Sequence, residues 1–229
     1  ESDFHSKVGI LDGTAVARGS VPISDQQVQD LTGGNAIRQL SFKKIGDRNF
    51  NNAIFNTWGA SGIAAVWAEE NTRDSIFEAF RRKETYATSG NRIKLRFFGG
   101  YNLDSSMLSR QDLIKEAYKN AVPMGQDLEA SNGEAPSFLI WAMKDKNSAP
   151  LQRVQIIKGW VDRISGRPHE KVIDVACSDG LIPDPMTNRC PDNNALVDIS
   201  DCSISSDRGA NEIKTIWTDD SFDSSVKSF

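Results

Sequence analysis

The chain has 229 residues, 38% of them hydrophobic, and a formal net charge of −4 at pH 7. That length and apolar fraction suffice for one large domain or two small ones with a sizeable core. Its longest apolar runs, such as Ile63 to Ala68, fall far short of the roughly 20 residues a bilayer span needs, and its charges are interspersed, so there is no basic footprint for nucleic acid or anionic lipid. The chain opens with Asp3-Phe4-His5, two metal-capable side chains at positions i and i+2. In an extended segment both point to one face, as a single metal ion requires. The plainer reading of so short a tripeptide is a solvated terminus. From Lys7 to Asn56 the text is rich in Gly, Ser, Asn and Asp with isolated apolar residues. A stretch that long without regular structure is either a functional loop, here a lid, or a surface loop without catalytic duties. Within it, Ser24 to Gly34 reads as one or two helical turns around Val28 and Leu31, stopped by Gly33 and Gly34.

Ile63 to Trp67 is a short apolar run entered through Gly59 and Gly62, the pattern of a buried strand. Glu69 and Glu70 end it. Asn71 offers a side-chain oxygen to the free amides of a following turn, and Asp74 adds negative charge at the positive helix end, so a helix is expected from about Thr72. Ile76, Phe77, Ala79 and Phe80 share one face of it, and Arg81, Arg82 and Lys83 crowd its last turn, which should finish near Glu84. Tyr86 to Gly90 reads as a turn. Ile93, Leu95 and Phe97 then alternate with Lys94 and Arg96 as in a half-buried strand. At a strand-to-helix junction of a barrel, where active sites gather, Glu69 or Glu70 could serve as metal ligand, general base or orienting group; the alternative is a carboxylate bonded to backbone amides. Arg73 and Arg92 are candidates for gripping an anionic substrate, although arginines more often serve as structural ion-pair partners.

Asp104 to Asn120 reads as a helical excursion. Strands follow at Ser137 to Met143, Leu151 to Trp160, Lys171 to Ala176 and Glu212 to Trp217, rich in β-branched and aromatic residues. Gly159, Gly166 and Pro168 suggest a hairpin between the second and third of these, with His169 exposed and structural within it. With Ile93 to Phe98, these strands could bury their apolar faces in an antiparallel β-sandwich. Cys177 and Cys190 flank SDGLIPDPMTNR, which has little apolar material to hold it in place. A disulfide closing that loop would stabilise it by about 3 kcal/mol in the chain-entropy model and would suit an oxidising compartment. Ordinary thiols are the alternative, and the spacing with Cys202 matches no tight zinc-ligand pattern. No dinucleotide fingerprint, P-loop, His-Glu-x-x-His or nucleophile elbow is present, so nucleotide cofactors have no support.

The phrases AAVWAEENTRDSIFEAFRRKETYATSGNRI at 64 to 93, RFFGGYNL at 96 to 103, VPMGQDL at 122 to 128 and PLQRVQIIKGWVD at 150 to 162 resemble the uncharacterised bacterial family catalogued as domain of unknown function 3604, linked to the polymerase-and-histidinol-phosphatase (PHP) metallohydrolases. The resemblance runs from Asp3 to Phe222 and is weakest between Gly13 and Phe55 and between Cys177 and Asp207. It implies an α/β plus β fold: residues 1–90 as the last strand and helix of a distorted PHP-type (β/α) barrel, and residues 91–229 as a β-sandwich with an inserted helix, truncated at its end. It also implies that Asp3 and His5 are ligands from a late metal-binding motif, with Glu69 near them, holding divalent Zn, Mn or Fe. The implied reaction is hydrolysis of an ester-type bond in a small-molecule substrate by metal-activated water. In the family Cys202 would find a partner further on, where this sequence has Asn211, Glu212 and Ile213. Both ends read as cut, so the chain is expected to be the C-terminal part of a longer exported protein, periplasmic or secreted, and inactive without its N-terminal part. The competing expectation is a non-catalytic β-rich module that binds carbohydrate or a partner protein, for which tryptophans at 58, 67, 141, 160 and 217 offer stacking surfaces.

Overall fold

The computed structural model describes residues 24–36, 42–51, 62–131, 133–198, 200–201 and 203–229. Asp3, His5, Trp58, Cys202 and much of the segment from Lys7 to Asn56 lie outside the described residues. The chain divides into two compact units, Glu1–Ala65 with Ala87–Arg92 and Val66–Tyr86 with Ile93–Phe229.

In the first unit, α1 (Asp25–Thr32) begins at Ser24, whose hydroxyl accepts from Gln27 N–H while the Gln27 side chain accepts from Ser24 N–H, and it stops at left-handed Gly33. The expected turns are present as a helix of 8 residues, about two turns. A hairpin not legible beforehand follows, β1 (Phe42–Ile45) with β2 (Arg48–Asn51), turning at Gly46 and Asp47. Lys44 Nζ and Asn49 Nδ2 both donate to the Asp25 carboxylate, at 2.7 and 2.5 Å, and these bonds, Lys44 first, hold it below the usual carboxylate range. Gly62 is required by a close approach, because a Cβ there would lie 1.6 Å from Thr88 O.

β3 (Ala64–Val66) pairs with β4 (Thr85–Ala87), so the segment expected to turn from Tyr86 onward begins as a strand. Between them α2 (Arg73–Arg81) is capped by Thr72 rather than Asn71: the Thr72 hydroxyl accepts from Ser75 N–H at 3.3 Å. The helix also stops short of Glu84, because Lys83 adopts a left-handed backbone with φ of 61°. The main sheet has the order β10-β7-β5-β6, all antiparallel, from β5 (Lys94–Gly100), β6 (Val122–Pro123), β7 (Ser137–Met143) and β10 (Glu212–Thr218). The helical excursion is two pieces, a 3₁₀ segment Ser105–Ser109 and α3 (Leu113–Asn120), separated where Arg110 becomes extended. β8 (Arg153–Val161) and β9 (Pro168–Cys177) form the expected hairpin, whose turn is held by the Asp162 carboxylate accepting from Ser165 N–H and Oγ–H at 2.6 Å each.

The sheet is buried on both faces, which the alternating pattern of Ile93 to Phe97 did not suggest. Leu139 of β7 and Phe98 of β5 pack with Met107, Leu113 and Ala117. Ile140 and Ala142 of β7 and Ile213 of β10 pack with Leu151 and with Val154 of β8. Neighbouring residues of β7 thus enter different cores, as strand alternation dictates. Among the described residues the strands form open sheets and no closed barrel.

Candidate functional site

Trp67 fixes the chain just ahead of the expected acidic pair. Its N–H donates to Glu84 O at 3.0 Å, and its indole Nε1 donates to Leu95 O at 2.8 Å. The Arg96 guanidinium lies 3.6 Å from the centre of the same ring, a cation–π contact. Beyond this anchor Glu69, Glu70 and Arg73 are all exposed in the junction between β3 and α2. Glu70 N–H donates to Ser75 Oγ at 3.1 Å, so its backbone is tied to the helix head while its side chain is not. Among the described residues, neither the Glu69 and Glu70 carboxylates nor the Arg73 guanidinium makes a hydrogen bond or ion pair. These three side chains are therefore available to an external group. Arg92 is exposed as well and belongs to the other unit.

The carboxylate that is tightly built into this region is Glu84, only 5% exposed. It accepts from Arg82 Nε at 2.9 Å and from the Tyr118 hydroxyl at 2.7 Å, and Arg96 in turn donates to Tyr118 Oη at 3.0 Å. Burial first, and then the Glu84 carboxylate, push the Tyr118 phenol above its ordinary value. This satisfied network escaped the sequence reading because its members come from separate elements, and no local spacing joins Glu84 to Tyr118. Gln126 closes its edge by donating to Arg82 O at 2.7 Å. Gly125 fits beside it with φ of +82°, where a Cβ would meet Lys83 O at 2.2 Å.

Cys177 and Cys190 are joined by a disulfide, and next to it Asp174 is 3% exposed. Its carboxylate accepts from Cys190 N–H at 2.7 Å and Gln155 Nε2 at 2.6 Å, with Arg189 at 3.4 Å and Arg153 at 3.7 Å. Burial alone would raise this acid, but those partners outweigh it, the Cys190 amide foremost, and hold it below the usual range. The loop beyond is organised around Asp179, which accepts from Ser178 Oγ, Asn193 Nδ2 and Gly209 N–H.

Among the described residues no group of three or more His, Cys, Asp or Glu side chains is placed to hold a metal ion. The described side chains thus do not by themselves fit a divalent centre; Glu69 and Glu70 could add carboxylates to one, and the expected ligands Asp3 and His5 lie outside the described residues. His169 is exposed and stacks on Trp160, 5.4 Å between ring centres. No helix among the described residues is long and apolar enough to cross a membrane.

Compared with known proteins, residues 1–229 match a family described as "Protein of unknown function (DUF3604)". No curated protein and no solved structure matches.

Proposed function

Since the chain belongs to the DUF3604 family over residues 1–229, we propose that it is part of a metal-dependent hydrolase acting on an ester-type bond, phosphoester, carboxyl ester or related. The observation that supports the reading is the exposed junction after β3, where two carboxylates and a guanidinium make no hydrogen bond or ion pair among the described residues while the backbone beneath them is anchored by Trp67. Side chains held ready in this way suit chemistry on a bound molecule better than support of the fold. In this reading Glu69 or Glu70 moves a proton or orients a reacting group, and Arg73 grips the anionic part of a small substrate. Asp3 and His5 would be among the ligands of the metal ions, which when bound would supply the activated water. The strand and helix around Glu69 then correspond to the end of a PHP-type barrel, and the sheets after it to a β-sandwich.

The test uses the full-length protein. Metal content is measured by mass spectrometry alongside turnover of nitrophenyl ester and phosphoester substrates. Asp3→Asn and His5→Ala are expected to lose bound metal and lower turnover by about 100-fold or more, whereas Glu70→Gln lowers turnover with metal retained. Turnover indifferent to chelation, or unchanged in Asp3→Asn, refutes the hydrolase reading.

A further inference from the structure

A cavity of about 340 Å³ opens on the β8–β9 hairpin, at the small end of the range for ligand sites. Its floor follows from register. Lys158 faces Lys171 across the ladder and Trp160 faces His169, so all four side chains share one face of the hairpin. Residues after β10 supply the rim, with Ser221, Asp223 and Ser228 lining the opening.

The two lysines are not equivalent. Lys158 is 14% exposed and saturated: Asp219 Oδ2 lies 2.5 Å from its Nζ, and Ser221 O accepts at 3.2 Å. Lys171 is exposed and makes no hydrogen bond or ion pair among the described residues. Like charges directly opposite on paired strands are unfavourable, and Asp219 neutralises only one of them. The Lys171 ammonium therefore retains the capacity to bind an anion at the edge of the cavity. Beside it, His169 covers one side of the Trp160 ring, 5.4 Å away and 15° from parallel, and Trp160 also lines the cavity. Asp223 and the serine hydroxyls bring acceptors and donors for neutral hydroxyl groups.

An aromatic surface, hydroxyl-bonding groups and one uncompensated cation match a molecule with an apolar ring face, several hydroxyls and a carboxylate. We propose that this cavity binds a uronic acid residue of an acidic glycan, the ring resting against Trp160, its carboxylate on Lys171 and its hydroxyls on Asp223 and the rim serines. The site belongs wholly to the second unit and does not depend on the hydrolase reading.

Isothermal titration calorimetry of the chain with trigalacturonate, and with cellotriose as the neutral counterpart, tests it. Saturable sub-millimolar binding of trigalacturonate is expected, with cellotriose at least about tenfold weaker. Lys171→Gln, an exposed change that spares the fold, should weaken trigalacturonate about tenfold and leave cellotriose unaffected, erasing the difference. Trp160→Ala should abolish binding of both; if that variant fails to fold, Lys171→Gln carries the test. Equal affinity for the two sugars, no binding of trigalacturonate, or a Lys171→Gln protein with undiminished preference overturns the proposal.

Discussion

Two regions of the second unit treat their carboxylates in opposite ways. Around β9, Asp174 is buried and bonded by Gln155, the Cys190 amide and two arginines, while before α2 Glu69 and Glu70 stand in solvent with no side-chain hydrogen bond or ion pair among the described residues. A carboxylate with every lone pair occupied holds elements together and has nothing left for a substrate. An exposed one adds almost nothing to stability and keeps its whole capacity for an incoming group. The first region is thus committed to the fold, and the second is the one that the proposed function draws on.

The strongest way to break that contrast is Asp174→Ala. It strands the Cys190 amide and leaves Arg153 and Arg189 without their shared anion, and because both guanidinia are partly hydrated the loss should be about 3 to 4 kcal/mol in urea denaturation. A loss below about 1 kcal/mol would put Asp174 in the same class as Glu70. The same group sets a pH dependence. Its carboxyl is held below its ordinary pKa in the folded state, so its contribution is fully present at neutral pH and declines as the pH falls below the unfolded value of about 3.9. In Asp174→Asn that part of the acid-induced decline should disappear.

Removing the crosslink in a Cys177→Ser, Cys190→Ser double variant should cost about 3 kcal/mol, read as a lower denaturation midpoint that reducing agent no longer changes. Glu84→Gln should cost about 2 kcal/mol, because Arg82 loses its anion although Tyr118 keeps an acceptor. In absorbance titration the Tyr118 phenol should then ionise at lower pH than before, yet still above the ordinary tyrosine value because its burial remains. The smallest effect belongs to the other region. Glu70→Gln should shift stability by no more than about 0.5 kcal/mol, and the contrast sharpens if the turnover expected under the proposed function falls in the same variant.

Legibility in the sequence followed locality. The limits of β7 at Ser137 and Met143 coincide with the apolar run that announced it, and the β8–β9 hairpin was visible from its turn residues. Cap and boundary details went astray where neighbouring residues compete: Asn71 and Thr72 are both good caps, and the structure uses Thr72 because its hydroxyl reaches Ser75 N–H. Tyr86 and Ala87 read as part of a turn, but pairing with β3 overrides so weak a local preference. The break at Arg110 was hidden because the apolar spacing of Met107, Leu108, Leu113 and Ile114 continues across it. Of the candidate site, the exposed acids could be placed from strand and helix order alone. The Glu84–Tyr118–Arg96 network and the Lys158–Lys171 pairing could not, since each depends on which strands and helices meet in space.

The placement of β7 between two cores also fixes how its stretch of the gene can vary. With Leu139 committed to one core and Ile140 to the other, and Phe138, Trp141 and Ala142 packed against one or the other, every position from 138 to 142 touches a core. In a saturation library this stretch should appear as an unbroken block of intolerance, admitting only swaps of matched volume. At the start of β8 Val154 is buried between exposed Arg153 and Gln155, whose side chains reach Asp174, so there the restriction should alternate in kind, volume at 154 and a donor to the carboxylate at 153 and 155.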